Sequence, residues 1–513
     1  MGLRLQFSDG KQVYALDSIL LRANADNGIQ NIHFESPFGY ASVSGEFDYT
    51  KVSSIISSLV LHHIDPGKAT QIQSAGSQKL EFNASLSWPD NLSAMLPQLK
   101  MKRPVLVDGR LNSDSSLFIL NLSQPSFRYA DMTIDSTQLN YHSDKDSMNA
   151  IVSIAGLQHP SLPMKKSIFR SKSIHGNMNW NMDLFNVSEE LKYDISGGIL
   201  FHDLKNMDIR FSPDLLLNQT SFTTGTPNGV LIREGKIQEA QLQLLADSQK
   251  IKLQTLKTTK GVPPVMLELE NFKLTTISGL LETDTALIAG LVNGKIFAES
   301  TTDSLALTGD IKIDSLQVKN APLGQLLVSI QTNARNRHFV NASLSGNNND
   351  VKLIANYSDQ LDADITINSL NLASAEVFTM GEMRNMHGLA KGNLKVTGKI
   401  AAPQVNGSLN FPEARGTIRF LNTQVKLKNQ EIMFNQIGIG FQEFKMTDSL
   451  GGEILINGYV LTDNYTDFEF DLSVDANEFM VLGPKYGEDQ LFYGPAFIDS
   501  RMRVRGGLEL PEI

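Results

Sequence analysis

Cysteine is absent from the 513 residues, which excludes disulfides, thiolate metal sites and a cysteine nucleophile while leaving the compartment open. Tryptophan occurs twice and aromatic residues make up 8% of the chain, thin material for the aromatic girdles of an outer-membrane barrel. No apolar run reaches the about 18 residues that cross a bilayer as a helix. The opening Met1-Gly-Leu-Arg-Leu-Gln-Phe7 has no basic stretch followed by an apolar one, so the segment is expected neither to export itself nor to span a membrane. Lys plus Arg total 45 against 55 Asp plus Glu, a net charge of -10. No basic run tracks a phosphate backbone, which argues against a nucleic-acid partner. Gly-x-Ser-x-Gly, His-Glu-x-x-His and phosphate-loop patterns are missing, so neither an enzyme nor a cofactor is expected.

What is present is alternation. Hydrophobic residues at 41% with 19% charged place the chain among folded proteins, and its length exceeds one compact core, leaving several domains or one elongated repeat array. Apolar residues recur at every second position almost from end to end, as in Phe468, Phe470, Leu472, Val474 and Ala476, so the reading is all-β. Val52, Ile55, Ile56 and Leu59 switch to helical spacing and predict a short amphipathic helix, with others expected around Ser93 to Leu99 and Ser374 to Met386 as caps or plugs.

A five-residue unit, apolar-x-Gly-x-apolar, repeats along the chain. It runs Val43 to Phe47, Val107 to Leu111, Ile174 to Met178, Ile195 to Ile199, Leu307 to Ile311, Val396 to Ile400, Val405 to Leu409, Ile456 to Val460 and Val504 to Leu508. Its glycines, among them Gly45, Gly109, Gly309, Gly398, Gly407, Gly458 and Gly506, fall on the parity of the apolar residues. One such glycine marks a bulge in any sheet. Recurrence at one parity points to a repeated need, since a glycine on the concave side lets a strand bend sharply and leaves volume beside its neighbours. The fold expected is an elongated, repetitive antiparallel β-groove, a taco-like trough with a few short helices. Its wall includes the apolar residues of the units that hold those named glycines, with Leu394, Phe411, Ile454, Phe468, Phe470, Leu472 and Val474. An apolar wall left in water costs about 25 cal/mol per Å2, so a filler such as an acyl chain is expected. A structural or adhesive β-solenoid with a closed, dry interior is the alternative.

Several stretches resemble a known family. Gly381 through Gly407, Gly416 to Phe420, Asp448-Ser-Leu-Gly-Gly-Glu-Ile-Leu-Ile-Asn-Gly458, Phe468 to Leu472 and Phe492-Tyr-Gly494 are similar to the start of the C-terminal region of the TamB family, within the AsmA-like group. Ala41 to Phe47 and Met207 to Pro213 are similar to its repetitive middle. The resemblance implies residues 1–380 as repetitive groove and 381–513 as the beginning of the conserved C-terminal region. It also implies a translocation and assembly module protein of the periplasm, anchored to the inner membrane and carrying phospholipid toward an Omp85-type outer-membrane partner, with a part in outer-membrane protein assembly. The transmembrane anchor and the end of the C-terminal region are expected to lie outside these residues.

Other candidates have plainer readings. His62 and His63, followed by Asp65, are adjacent rather than spaced to share a metal ion, and a solvated turn after the helix is expected. Asp362 with Asp364, and Glu469 with Asp471, could form acid/base pairs, but each lies between inward apolar residues and should face water.

Overall fold

The computed structural model describes residues 2–512 except 9–12, 66–75, 89–97, 102, 131, 159–165, 187, 259–260, 280–286, 301–304, 334–335, 380, 463–464, 466, 484–493 and 508–511, with side chains from residue 19 onward. The chain divides into two compact units, Met1–Val265 with Thr276–Asp284, and Met266–Thr275 with Thr285–Ile513. Both are antiparallel meanders of alternating strands, as the period-2 pattern requires, with a few short helices.

Tight turns produce the meander. Two-residue loops with positive φ at both positions, such as Asn27-Gly28 (49° and 88°) and Asn347-Asn348 (50° and 62°), match the twist of the strands they join, so each strand folds back on its predecessor. Proline explains where strands break. Leu99–Met101 and Val105–Asn112, separated across Pro104, pair side by side with Leu117–Tyr129. Met207–Phe211 and Asp214–Leu217, separated at Pro213, both pair with Leu191–Phe201. A residue without an N–H cannot continue the ladder, so the chain kinks there and resumes.

In the first unit the expected amphipathic helix forms as Tyr49–Leu61. Asp48 caps it, its side chain accepting from the Thr50 backbone N–H at 3.0 Å. Ile55 and Leu59, each 1% exposed, pack with Phe47, Leu80, Leu111 and Phe118. Burial of each of those two helix side chains contributes about 2 kcal/mol. A second cluster joins Leu215, Phe222, Leu244 and Ala246, and the four-residue helix Thr275–Ser278 is held where the Tyr193 hydroxyl donates to the Thr276 carbonyl at 2.8 Å.

The second unit runs strand by strand from Ile288–Ser300 to Ala496–Gly507. The helical span expected at Ser374 to Met386 is shorter and earlier, Leu372–Ala375 followed by a 3-10 turn Glu376–Thr379, and Met386 already lies in the strand Met383–Lys399. Asn371 supplies the cap, accepting from Ala373 N–H at 3.1 Å. This cap packs Leu372 on Ala390 and Ala414. Of the other expected helix, 93–97 fall outside the described residues and Leu99 begins a short strand.

Candidate functional site

Cross-strand register assembles the alternating residues into rows. In the second unit one row passes through every strand from Ile288–Ser300 to Ala496–Gly507: Gly294, Ile311, Val328, Ala342, Leu353, Ile365, Leu394, Gly407, Phe434, Ile439, Val460, Phe470 and Gly506. A second row lies beside it on the same face: Val292, Ile313, Leu326, Leu344, Val351, Ile367, Gly392, Leu409, Ile432, Phe441, Gly458, Leu472 and Val504. Neither row contains a polar side chain. A shorter third row joins Ile296, Gly309, Ile330, Val340, Ala355, Ala363, Val396 and Val405.

These rows are not a closed core. In the first, every member is half-buried except the exposed Gly407; in the second, all are half-buried except the buried Val292 and Ile367. A wall that long and apolar, left partly exposed among the described residues, matches the surfaces that bind something rather than ordinary solvent-facing sheet. The opposite face has a different chemistry. Its row between the two begins Asn293, Lys312, Leu327, Ser343, Lys352, Thr366 and Asn393, and ends Asp471 and Arg505. The candidate acid/base residues belong there. Lys395 lies 2.8 Å from Asp362 and 3.3 Å from Asp364, all well exposed, and hydrogen bonds to those two carboxylates push its pKa up. Asp471 is held below the usual carboxylate range by its bonds to Arg503 and Arg505. A concavity of about 690 Å3 is lined by Leu327 and Ile354 together with Ile311, Val328, Ala342 and Leu353 of the first row.

The sequence-predicted wall residues distribute as follows. Ile311, Leu394, Val460 and Phe470, with Gly407 and Gly506, fall in the first row; Leu409, Leu472 and Val504, with Gly458, in the second; Val396 and Val405, with Gly309, in the third. A register shift between Phe441 and Phe444 sets Ile454 and Ile456 on a continuation of the wall, Ile456 opposite Val474 and Ile454 opposite the buried Ala476. Leu307 pairs with Ala298 near the start of its strand, and Phe468 is half-buried just ahead of Glu469–Leu482. Phe411 packs beside the Leu372 cap. Ile400 stands apart: it sits in the hairpin turn, 66% exposed, beyond Gly398 at φ 97°. Leu508 lies outside the described residues. Alternation alone singles out Ile365 and Ile439 in the sequence; sequence reading missed Val328, Ala342, Leu353 and Phe434, which lack the glycine signature.

In the first unit, Val43 and Gly109 share a row with Ile32, Phe82 and Leu120, Val107 lies in the row beside them, and Gly45 and Leu111 in the third. Much of this wall is occupied by the chain itself. Phe47 and Leu111 are 7% and 2% exposed beneath Tyr49–Leu61, so at these positions the expected open lining is closed by a helix. The volume beside Gly109 is filled too, since a Cβ there would lie 2.5 Å from the ring of its register partner Phe82. The histidine pair also departs from expectation. His63 is 1% exposed rather than solvated.

Residues 250–439 match the family model of the TamB C-terminal domain, a stretch that holds the early part of the two long rows and spans residue 381. No curated protein and no solved structure matches the chain.

Proposed function

Taking as premise that the match at residues 250–439 makes this a TamB-family protein, we propose that its apolar rows are the wall of a phospholipid-carrying groove. The observation that supports this reading is the pair of half-buried, wholly apolar rows continuous through the strands of the second unit. An acyl chain needs no directional contacts, only apolar surface that would otherwise face water, and successive rows offer equivalent positions along which it can slip. The polar opposite face suits a periplasmic setting. The reading extends to transport between inner and outer membranes, an Omp85-type outer-membrane partner, an inner-membrane anchor, and a contribution to outer-membrane protein assembly. The domain division at 380/381 is part of the same proposal.

The test is lipid mass spectrometry on the purified chain from a Gram-negative host beside a Val396→Glu plus Leu409→Glu variant. The parent is expected to retain phospholipid. The variant should lose it at least about tenfold while keeping its β circular dichroism, because at partly solvated positions a carboxylate can keep contact with water. A lipid-free parent whose variant unfolds outright would instead describe a dry, closed scaffold, in which an unpaired buried charge is costlier.

A further inference from the structure

The helix Tyr49–Leu61 occupies wall that corresponding rows of the second unit leave open, and its far end is held by one buried histidine. His63, in the turn after the helix, is 1% exposed. Its Nε2 donates to the Asp144 carbonyl at 2.9 Å, and its own carbonyl accepts from the Ser173 hydroxyl at 3.0 Å. These bonds fasten the helix end to the turn after Met132–Ser143 and to the strand Lys166–Ile174. Nδ1 is buried without a protein partner. With Nε2–H committed to a carbonyl, a neutral ring carries its lone pair on Nδ1, and the next proton must go there, where no protein acceptor faces it.

We propose that Tyr49–Leu61 is a proton-released lid: neutral His63 latches it over the wall of the first unit, and acidification frees it to uncover Leu80, Leu111 and Phe118. The proposal stands whatever molecule then occupies the wall. Groups facing His63 reinforce it. The His62 ring lies 4.9 Å away edge-on and His175 follows the strand that carries Ser173; positive charge on either opposes a proton on His63. Asp144 opposes them, but its carboxylate is engaged with the Asp146 and Ser147 backbone N–H groups at 2.9 and 2.7 Å. His142 lies 3.9 Å from that carboxylate, half exposed; Asp65, two residues on, is buried.

Burial pushes the His63 pKa below its ordinary value of 6.5, against the opposing bond to Asp144. The released ring would titrate near the ordinary value, so the latch is fully present above it. It weakens as pH falls from there to the lowered folded value, by up to about tenfold in the opening equilibrium per pH unit.

A chain without cysteine permits a direct test. A single Val60→Cys, on the helix and packed against the cluster, is reacted with 2,2′-dipyridyl disulfide, which remains thiol-reactive in acid. Val425→Cys, in the core of the second unit, is the reference. From pH 7.5 to 5.0 the Val60→Cys rate should rise about tenfold relative to the reference. Adding His63→Gln, whose amide still donates toward Asp144 but does not titrate, should make that ratio flat. Adding His142→Gln or His175→Gln should leave the rise in place. The proposal is overturned by a flat ratio in the parent, by a rise that survives His63→Gln, or by one that His142→Gln abolishes. Should His63→Gln open the helix at both pH values, the parent decides: the labelling midpoint must coincide with the His63 ring titration seen by NMR, and a mismatch overturns the latch.

Discussion

Gly407→Ala is expected to destabilise the second unit by about 3–4 kcal/mol, at the severe end for a single methyl group. A Cβ at this position would lie 2.0 Å from the Asn393 carbonyl oxygen and 3.0 Å from Leu394 Cα. Both belong to the backbone of the neighbouring strand, and no rotamer change relieves the clash. The residue also has φ 135°, which costs an L side chain about 1–3 kcal/mol by itself. Gly398→Ala separates the two terms. Its φ is 97°, yet its Cβ would meet nothing nearer than the Ala402 carbonyl oxygen at 3.4 Å, so only the backbone strain applies and about 1–2 kcal/mol is expected. Urea unfolding of both variants measures the difference. Equal losses would mean that the strand Met383–Lys399 gives way at Asn393 and that close backbone approach is not what requires glycine.

That result bears on how much of the wall the sequence reveals. Alternation announces an apolar face wherever a strand is straight, which is why Ile311, Leu394, Leu409 and Leu472 land in the rows. The glycines stand out for their parity, but the physical need differs between positions: at Gly407 the obstacle is a neighbouring carbonyl, at Gly109 it also includes the Phe82 ring. Such closeness depends on which residue of the next strand sits opposite, and register is absent from a single strand's pattern. The same limit hides the shift between Phe441 and Phe444. Helical spacing at Val52, Ile55, Ile56 and Leu59 locates the first helix, but not the wall it covers, so Phe47 and Leu111 look like open lining until the partners are known. His63 is harder still. Nothing in His62-His63 says that one ring turns inward to bond the carbonyl of Asp144, a contact across 81 positions.

Asp448→Ala should cost about 4 kcal/mol, although its neighbours read as an ordinary turn. The residue closes the hairpin between Gly438–Asp448 and Glu453–Leu461 and is 2% exposed. One carboxylate oxygen accepts from the Leu450 and Gly452 N–H groups at 2.8 and 2.9 Å, and the other reaches the strand Glu469–Leu482, accepting from Met480 N–H at 2.8 Å. A single side chain thus satisfies the turn and ties it to a strand not adjacent in the hairpin. Hydrogen bonds to a charged acceptor contribute about 1.5–3 kcal/mol each, and alanine leaves three donors facing a space without acceptors. Beside them Val425, Ala476 and Phe479 are buried as an apolar cluster, which makes water a poor replacement. Asp448→Asn distinguishes this account from a loss of local turn propensity. Asparagine serves a turn as well as aspartate does, yet it offers one acceptor oxygen and sets an NH2 group against one of the donors. On the clamp account it should recover no more than about half the loss; full recovery in urea unfolding would show that the turn matters and the bond to Met480 does not.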